Sequence, residues 1–258
     1  MPAFAVFCFC VFAGFVLEKR DVMFLLFDRQ YSIMLKAVIF DLDNTLVNFW
    51  EFKQESSKEA AKAMVGAGLE MSAGACERLI FRIYETHGID YQLTFTELLK
   101  PFKFEKDKFE KIRNAGITAY LRKKGEILRP YEGMEATLHE LKKEHVLAVL
   151  TDAPREQAHS RLAFTGLQNY FSQVGTFHDT NIYKPGVEPF LHICKKLGVD
   201  AGECLMVGDN LSRDIRGAKL VGMRTCFAKY GQVFGDDGTS AEFEIEKPVD
   251  LLEVVKKI

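Results

Sequence analysis

Residues 36–47 read KAVIFDLDNTLV, and this stretch indicates both a fold and a site. The consecutive apolar residues from Ala37 to Phe40 have the β-branched and aromatic character of a strand that is buried on both faces. The strand runs directly into Asp41 and Asp43, and their i, i+2 spacing in an extended chain directs both carboxylates to the same side. Two anions at the end of a buried strand are costly, so we expect a compensating charge nearby.

The composition excludes several classes of protein. The chain of 258 residues is 48% hydrophobic and 27% charged, which is ordinary for one large globular domain or two smaller ones. Its formal net charge of -2 gives no broad attraction for nucleic acid or for an acidic membrane surface, so we expect neither as a partner. The cysteines form no C-x-x-C pair and have no histidine at zinc spacing, which favours reduced thiols in a cytoplasmic protein. These cysteines are Cys8, Cys10, Cys76, Cys194, Cys204 and Cys226.

Residues 1–33 differ from the rest of the chain. They begin with the apolar run MPAFAVFCFCVFAGFVL, which is short for a membrane span of roughly 20 residues and lacks the basic stretch that opens a signal peptide. The segment MLKAVIFDLDNT begins a domain cleanly at Met34. We therefore interpret residues 1–33 as an artefactual or unstructured extension, with a membrane anchor as the alternative.

Two hydrophobic patterns divide the chain beyond Met34. Residues 50–128 carry helical periodicity, as in ESSKEAAKAMVGAG and CERLIFRIYETHG, which predicts an all-helical insertion. From Pro130 onward predicted helices alternate with strands such as VLAVLTD, CLMVGD and RTCFAK, which predicts a parallel sheet covered by helices on both faces. The predicted fold is therefore an α/β core made of residues 34–49 and 129–258, with the helices inserted after the first strand.

Three of the predicted strands end in polar side chains. These are Asp41 and Asp43 after VIF, Thr151 and Asp152 after VLAVL, and Asp209 with Asp214 after CLMVG. Because ligands of such sheets bind at the carboxyl ends of the strands, we expect one site there, and Lys184 in a loop before a helix can add a cation to it. Crowded carboxylates repel each other unless a divalent cation lies among them, and oxygen ligands favour Mg²⁺.

These four motifs together resemble those of the haloacid dehalogenase (HAD) superfamily. The resemblance rests on DLDNT at 41–45, the strand-terminal Thr151, Lys184, and GDNLSRD at 208–214, and it extends from Met34 to the end of the chain. It implies a Rossmann-like core with the first strand at its centre and phosphohydrolase activity. It also implies that residues 50–128 form a helical cap of the subclass I type.

The resemblance and the chemistry of the residues lead to the same expected roles. Asp41 attacks phosphorus to form an aspartyl-phosphate, and Asp43 acts as general acid and base. The Mg²⁺ ligands implied by the resemblance are Asp41, the backbone carbonyl of Asp43, and Asp209, while Asp214 orients a metal-bound water or Lys184. The expected phosphate contacts are the Thr151 hydroxyl, the Lys184 ammonium, and backbone N–H groups near Leu42 and Asp152.

The expected activity is Mg²⁺-dependent hydrolysis of a small phosphorylated metabolite by a cytoplasmic monomer or homodimer. A phosphomutase, a haloacid dehalogenase and a non-enzymatic binding module are the alternatives. The dehalogenase branch has D-x-Y in its first motif, so Asp43 argues against halide chemistry. Ala153 stands where many relatives have Asn or Gly, a difference that affects rate or substrate more than class. Residues 116–133 resemble archaeal members that act on glyceraldehyde 3-phosphate, and relatives that act on phosphoglycolate are nearly as close.

Overall fold

The computed structural model of the chain describes residues 34–233, 235 and 237–258. Contacts within residues 34–258 group them into one unit. The prediction that residues 1–33 are an extension lies outside the described residues, as do Cys8 and Cys10. No helix of the described ranges is both long enough and apolar enough to cross a membrane.

A six-stranded parallel sheet contains the strand that opens the described chain. Its strands are β1 (Ala37–Phe40), β2 (Val146–Leu150), β3 (Gln173–Gly175), β4 (Cys204–Gly208), β5 (Arg224–Ala228) and β6 (Phe243–Ile245). The spatial order is β3-β2-β1-β4-β5-β6, so β1 lies between β2 and β4. Ala37 pairs with Val146 on one side and with Cys204 on the other. All residues of β1 are buried, as the continuous apolar run predicts.

The helices form two groups by their position in the chain. Between β1 and β2 come the inserted helices α1 (Phe49–Gly66), α2 (Ala73–His87), α3 (Thr94–Leu99) and α4 (Lys106–Ile127). The remaining helices are α5 (Met134–Leu141), α6 (Arg155–Phe164), α7 (Phe177–Thr180), α8 (Val187–Leu197), α9 (Arg216–Leu220) and α10 (Leu251–Val255). The predicted α/β fold with an all-helical insertion after the first strand is confirmed, while the domain boundaries at residues 50 and 128 stay a prediction.

The core has hydrophobic clusters on both faces of the sheet. Val38 and Phe40 belong to one cluster, and Ala37 and Ile39 belong to the other, because alternate residues of a strand point to opposite faces. The inserted helices have a further cluster of their own, built from residues such as Met64. The sheet is therefore covered on both sides, and the carboxyl ends of its strands remain the edge where polar side chains converge.

Candidate active site

Lys184 joins the ends of the central strands. It lies between α7 and α8, its side chain is buried, and its ammonium donates to Asp41 Oδ1 at 2.5 Å and to Asp214 Oδ1 at 2.6 Å. A third donation, of 3.1 Å, goes to the backbone carbonyl of Leu150 at the end of β2. The lysine that the sequence predicts at this edge is therefore the counter-ion of two buried carboxylates.

Asp41, Asp209 and Asp214 form a group that can hold a metal ion. Each is buried and offers one carboxylate oxygen, and these oxygens lie within 4.8 Å of one another. Three carboxylates against the single ammonium of Lys184 leave an excess of buried negative charge, which a divalent cation with oxygen ligands would balance. The donor set therefore fits Mg²⁺.

Within the part of the chain that the structure describes, the carboxylate of Asp43 does not belong to that group. Its side chain turns to Arg161 instead, so the metal contact predicted for Asp43 would have to come from its backbone carbonyl. The resemblance implies that Asp214 orients a metal-bound water or Lys184. In the structure its carboxylate lies beside those of Asp41 and Asp209.

Burial and mutual repulsion shift the protonation of these groups. Burial, opposed by Lys184 and reinforced by the Asp214 carboxylate, raises the pKa of Asp41 to about 7. Burial and the neighbouring Asp41 carboxylate raise the pKa of Asp209 well above its ordinary value. Although burial alone would lower the pKa of Lys184, the carboxylates of Asp214 and Asp41 raise it, so Lys184 stays charged.

A backbone N–H group and a threonine hydroxyl fix the two carboxylates that follow β4. Asp214 Oδ2 accepts from the backbone N–H of Asn210 at 3.0 Å, and Asp209 Oδ1 accepts from the hydroxyl of Thr45 at 3.1 Å. Gly208 at the end of β4 permits this approach, because a Cβ at that position would lie 2.4 Å from Asp214 Oδ2. The GD dipeptide of the fourth motif thus has a steric reason in addition to its charge.

The turn after β1 is held by the Asn44 side chain and by a backbone hydrogen bond. Asn44 has a φ of 62°, a left-handed conformation that asparagine tolerates better than most residues. Its Oδ1 accepts from the backbone N–H of Trp50 at 2.8 Å at the start of α1, and the carbonyl of Leu42 accepts from Leu46 N–H at 2.9 Å. This closed turn fixes the backbone that carries Asp41 and Asp43, and the phosphate contact from Leu42 N–H stays a prediction.

Asp152 has a side-chain role that the sequence did not indicate. Its Oδ1 accepts from the backbone N–H of Lys184 at 2.9 Å, and its Oδ2 accepts from the Arg213 guanidinium at 3.2 Å. The hydroxyl of Thr151 accepts from Ala153 N–H at 3.1 Å, which orients it at the end of β2. Asp152 therefore anchors the loop that presents Lys184, while the phosphate contacts of Thr151 and of Asp152 N–H remain predictions.

Asp43 contacts an arginine that the sequence analysis missed. The Arg161 guanidinium on α6 donates to Asp43 Oδ2 at 2.5 Å and also to Asp90, in the loop between α2 and α3. Burial, opposed by Arg161, raises the pKa of Asp43 to about 6. The helix α6 buries Arg161 together with Ala158 and Leu162, a position that is unusual for an arginine and that became visible only in the folded chain.

A parallel α/β sheet with aspartates and a buried lysine at the carboxyl ends of its central strands places a ligand site at that edge. Residues 38–228 match the family described as haloacid dehalogenase-like hydrolase. The chain belongs to this HAD-like hydrolase family, and it is a phosphatase of that family.

Relatives from several organisms resemble nearly the whole described chain. A glyceraldehyde 3-phosphate phosphatase of Methanocaldococcus jannaschii is 32% identical, over 87% of this chain and 99% of that protein. A phosphoglycolate phosphatase of Cupriavidus necator is 28% identical, over 87% of this chain and 93% of its own length. The crystal structure of a HAD phosphatase from Thermococcus onnurineus aligns with a TM-score of 0.60 at 27% identity, covering 86% of this chain and 98% of that one.

Proposed function

We propose that this phosphatase hydrolyses a small phosphorylated metabolite, with Mg²⁺ as cofactor and Asp41 as nucleophile. The observation that carries the proposal is the buried group of Asp41, Asp209 and Asp214 around the Lys184 ammonium at the end of the central strand. The names of the two curated relatives support a phosphate ester of a two- or three-carbon compound as the substrate class.

Asp41 is suited to attack because one of its oxygens is already held. Lys184 binds Oδ1, which leaves Oδ2 to form the bond to phosphorus while the ester P–O bond breaks. The leaving alkoxide takes a proton from Asp43. Water then attacks the phosphorus of the aspartyl-phosphate, its proton goes to Asp43, and inorganic phosphate leaves with Asp41 restored.

The charge of the transferred phosphoryl group requires stabilisation by cations and N–H donors. Lys184 provides one positive charge, and Asp41, Asp209 and Asp214 would hold the Mg²⁺. When bound, this metal would supply further positive charge for the phosphoryl oxygens. The hydroxyl of Thr151 and the backbone N–H groups of Leu42 and Asp152 are proposed to donate to the same oxygens.

Asp43 has the features of an acid that exchanges a proton near neutrality. Its Oδ2 is bound by Arg161, whereas its buried Oδ1 has no hydrogen-bond partner within the part of the chain that the structure describes. Because burial raises its pKa to about 6, both protonation states are accessible near neutral pH. Oδ1 is therefore proposed as the atom that gives and takes the proton.

Removal of the metal is expected to stop the reaction. EDTA should abolish phosphate release, and Mg²⁺ should restore it and raise the melting temperature because it binds the native site. In the metal-free fold Asp41 keeps its proton to a pH of about 7, whereas an ordinary aspartate releases it near 3.8. Stability of the metal-free chain therefore falls as the pH rises through this interval, and Mg²⁺ should stabilise more at about pH 8 than at about pH 5.

Two controls define the metal experiment. Ca²⁺ should support turnover poorly, because its looser coordination misplaces the nucleophile. Full turnover in excess chelator, or a melting temperature that ignores Mg²⁺ at both pH values, contradicts the proposed cofactor. Both assays use the same preparation, so a loss of activity from unfolding is visible in the melting curve.

The substrate range should be limited to small esters. Arg161 contacts both Asp43 and Asp90. The loop of the inserted helices that contains Asp90 therefore lies close to Asp43. A site closed in this way suits small metabolites and excludes bulky chains. In a panel read out by released phosphate, glyceraldehyde 3-phosphate and phosphoglycolate should be hydrolysed, and phosphopeptides and oligonucleotides should not. Hydrolysis of phosphopeptides at comparable rates contradicts the proposal.

A further inference from the structure

Arg161 is a buried cation that the reaction described above does not use. Its side chain is 2% exposed, although arginine is rarely buried unless its charge is paired. Two different nitrogens make its ion pairs: Nη1 donates to Asp43 Oδ2 at 2.5 Å, and Nη2 donates to Asp90 Oδ1. The first partner follows the central strand, and the second belongs to the inserted helices.

The surroundings hold the guanidinium in one place. Its Cζ lies 4.3 Å from the centre of the Phe49 ring at the start of α1, a distance at which the ring face attracts a cation. The Asp90 loop is fixed independently, because the Lys53 ammonium donates to the carbonyl of Ile89 at 2.7 Å. Arg161 therefore extends from α6 to a loop that a hydrogen bond from Lys53 ties to α1.

The geometry selects arginine for this position. A planar guanidinium presents separate N–H groups to two carboxylates at once, whereas a lysine ammonium is a point charge on a flexible stem. The pairing occupies Oδ2 of Asp43, and the buried Oδ1 of the same carboxylate has no hydrogen-bond partner in the described ranges. A purely structural ion pair would gain from satisfying both oxygens, so the free Oδ1 indicates an orientation that serves the reaction.

We infer that Arg161 is a positioning residue that holds the carboxyl group of Asp43 with Oδ1 free to donate its proton, and that Asp90 anchors Arg161 in that position. The inference rests on the proposed function, because it assigns Arg161 an effect only through the acid role of Asp43. Loss of Arg161 should therefore impair proton donation to the leaving group more than attack by Asp41.

Arg161→Met tests this separation with two substrates. An alkyl phosphate needs a proton on its leaving group, whereas an activated aryl phosphate does not. The ratio of kcat for the alkyl ester to kcat for the aryl ester should fall by about tenfold or more in the variant. Arg155→Met is the matched control, since it removes an exposed arginine of the same helix that pairs with Asp179, and it should leave the ratio at the parent value.

A double-mutant cycle distinguishes positioning from general weakening of the fold. Asp43→Asn alone should lower the same ratio, and adding Arg161→Met to it should change kcat for the alkyl ester by no more than about twofold. Multiplicative losses in the double variant, or a parent-like ratio in Arg161→Met, overturn the inference. If Arg161→Met does not fold, Asp90→Asn takes its place, because the amide keeps a hydrogen bond while the anchoring charge is lost. It should also lower the ratio, and an unchanged ratio overturns the role of the anchor.

The outcomes separate this inference from the proposed function. A parent enzyme that hydrolyses neither ester, or an Asp43→Asn variant with a parent-like ratio, contradicts the proposed function itself. If the parent hydrolyses both esters and the alkyl-to-aryl ratio of kcat falls in Asp43→Asn but not in Arg161→Met, the proposed function is supported. Arg161 then has no positioning role in it.

Discussion

Asp41→Asn should leave the chain folded and reduce phosphate release by on the order of 10⁴-fold or more, the scale on which loss of a covalent nucleophile acts. An amide has nearly the shape of the carboxylate and still accepts the hydrogen bond that Lys184 donates to Oδ1. It cannot attack phosphorus, because its oxygen and nitrogen are poor nucleophiles. Activity is measured as released phosphate from an activated aryl ester, and folding by the melting temperature.

The matched control for this variant is Asp107→Asn. Asp107 lies in the first turn of α4 and is exposed, so the same chemical change occurs far from the strand ends. The control should keep parent activity. Equal turnover by Asp41→Asn and the parent would contradict the assignment of Asp41 as nucleophile.

Lys184→Met should produce the largest loss of stability among single substitutions in the site. The variant removes the ammonium that Asp41 and Asp214 share, and it leaves the carbonyl of Leu150 without its lysine donor. Breaking a buried ion pair by removing one partner costs about 3–5 kcal/mol of unfolding free energy. For a chain of this size that lowers the melting temperature by roughly 10 °C, measured with chelator present.

Two further variants show whether charge is the cause. Lys195→Met on α8 removes an exposed lysine and should change the unfolding free energy by less than about 0.5 kcal/mol. Adding Asp214→Asn to Lys184→Met removes one of the uncompensated carboxylates, so the double variant should recover much of the loss. A Lys184→Met chain as stable as the parent means that Lys184 is not the counter-ion of the site.

The sequence predicted the elements that local pattern controls. The apolar run from Ala37 to Phe40 reads as a strand buried on both faces, and β1 has alternate residues in two clusters. The motif residues follow strand ends, and parallel strands bring their carboxyl ends to one edge. For this reason the topology alone predicted that Asp41 and Asp209 lie close together.

The network around Asp43 was not predictable in the same way. Arg161 and Asp43 are separated by 118 positions, and Arg161 and Asp90 by 71 positions, so no local periodicity relates them. Arg161 belongs to a short helix whose amphipathic pattern is weak, and charge in such a helix ordinarily faces solvent. The side-chain role of Asp152 was hidden for the same reason, since its partners Lys184 and Arg213 approach only in the folded chain.

The most direct test of the account is to trap the phosphorylated enzyme. The parent is mixed with a substrate carrying a labelled phosphoryl group in the presence of Mg²⁺, quenched with acid during turnover, and digested for mapping of the label. An aspartyl-phosphate is an acyl phosphate, so the label should resist acid, be released by hydroxylamine, map to the peptide that contains Asp41, and be absent from Asp41→Asn. Turnover of the substrate without any protein-bound label, or a label on another residue, would contradict the account.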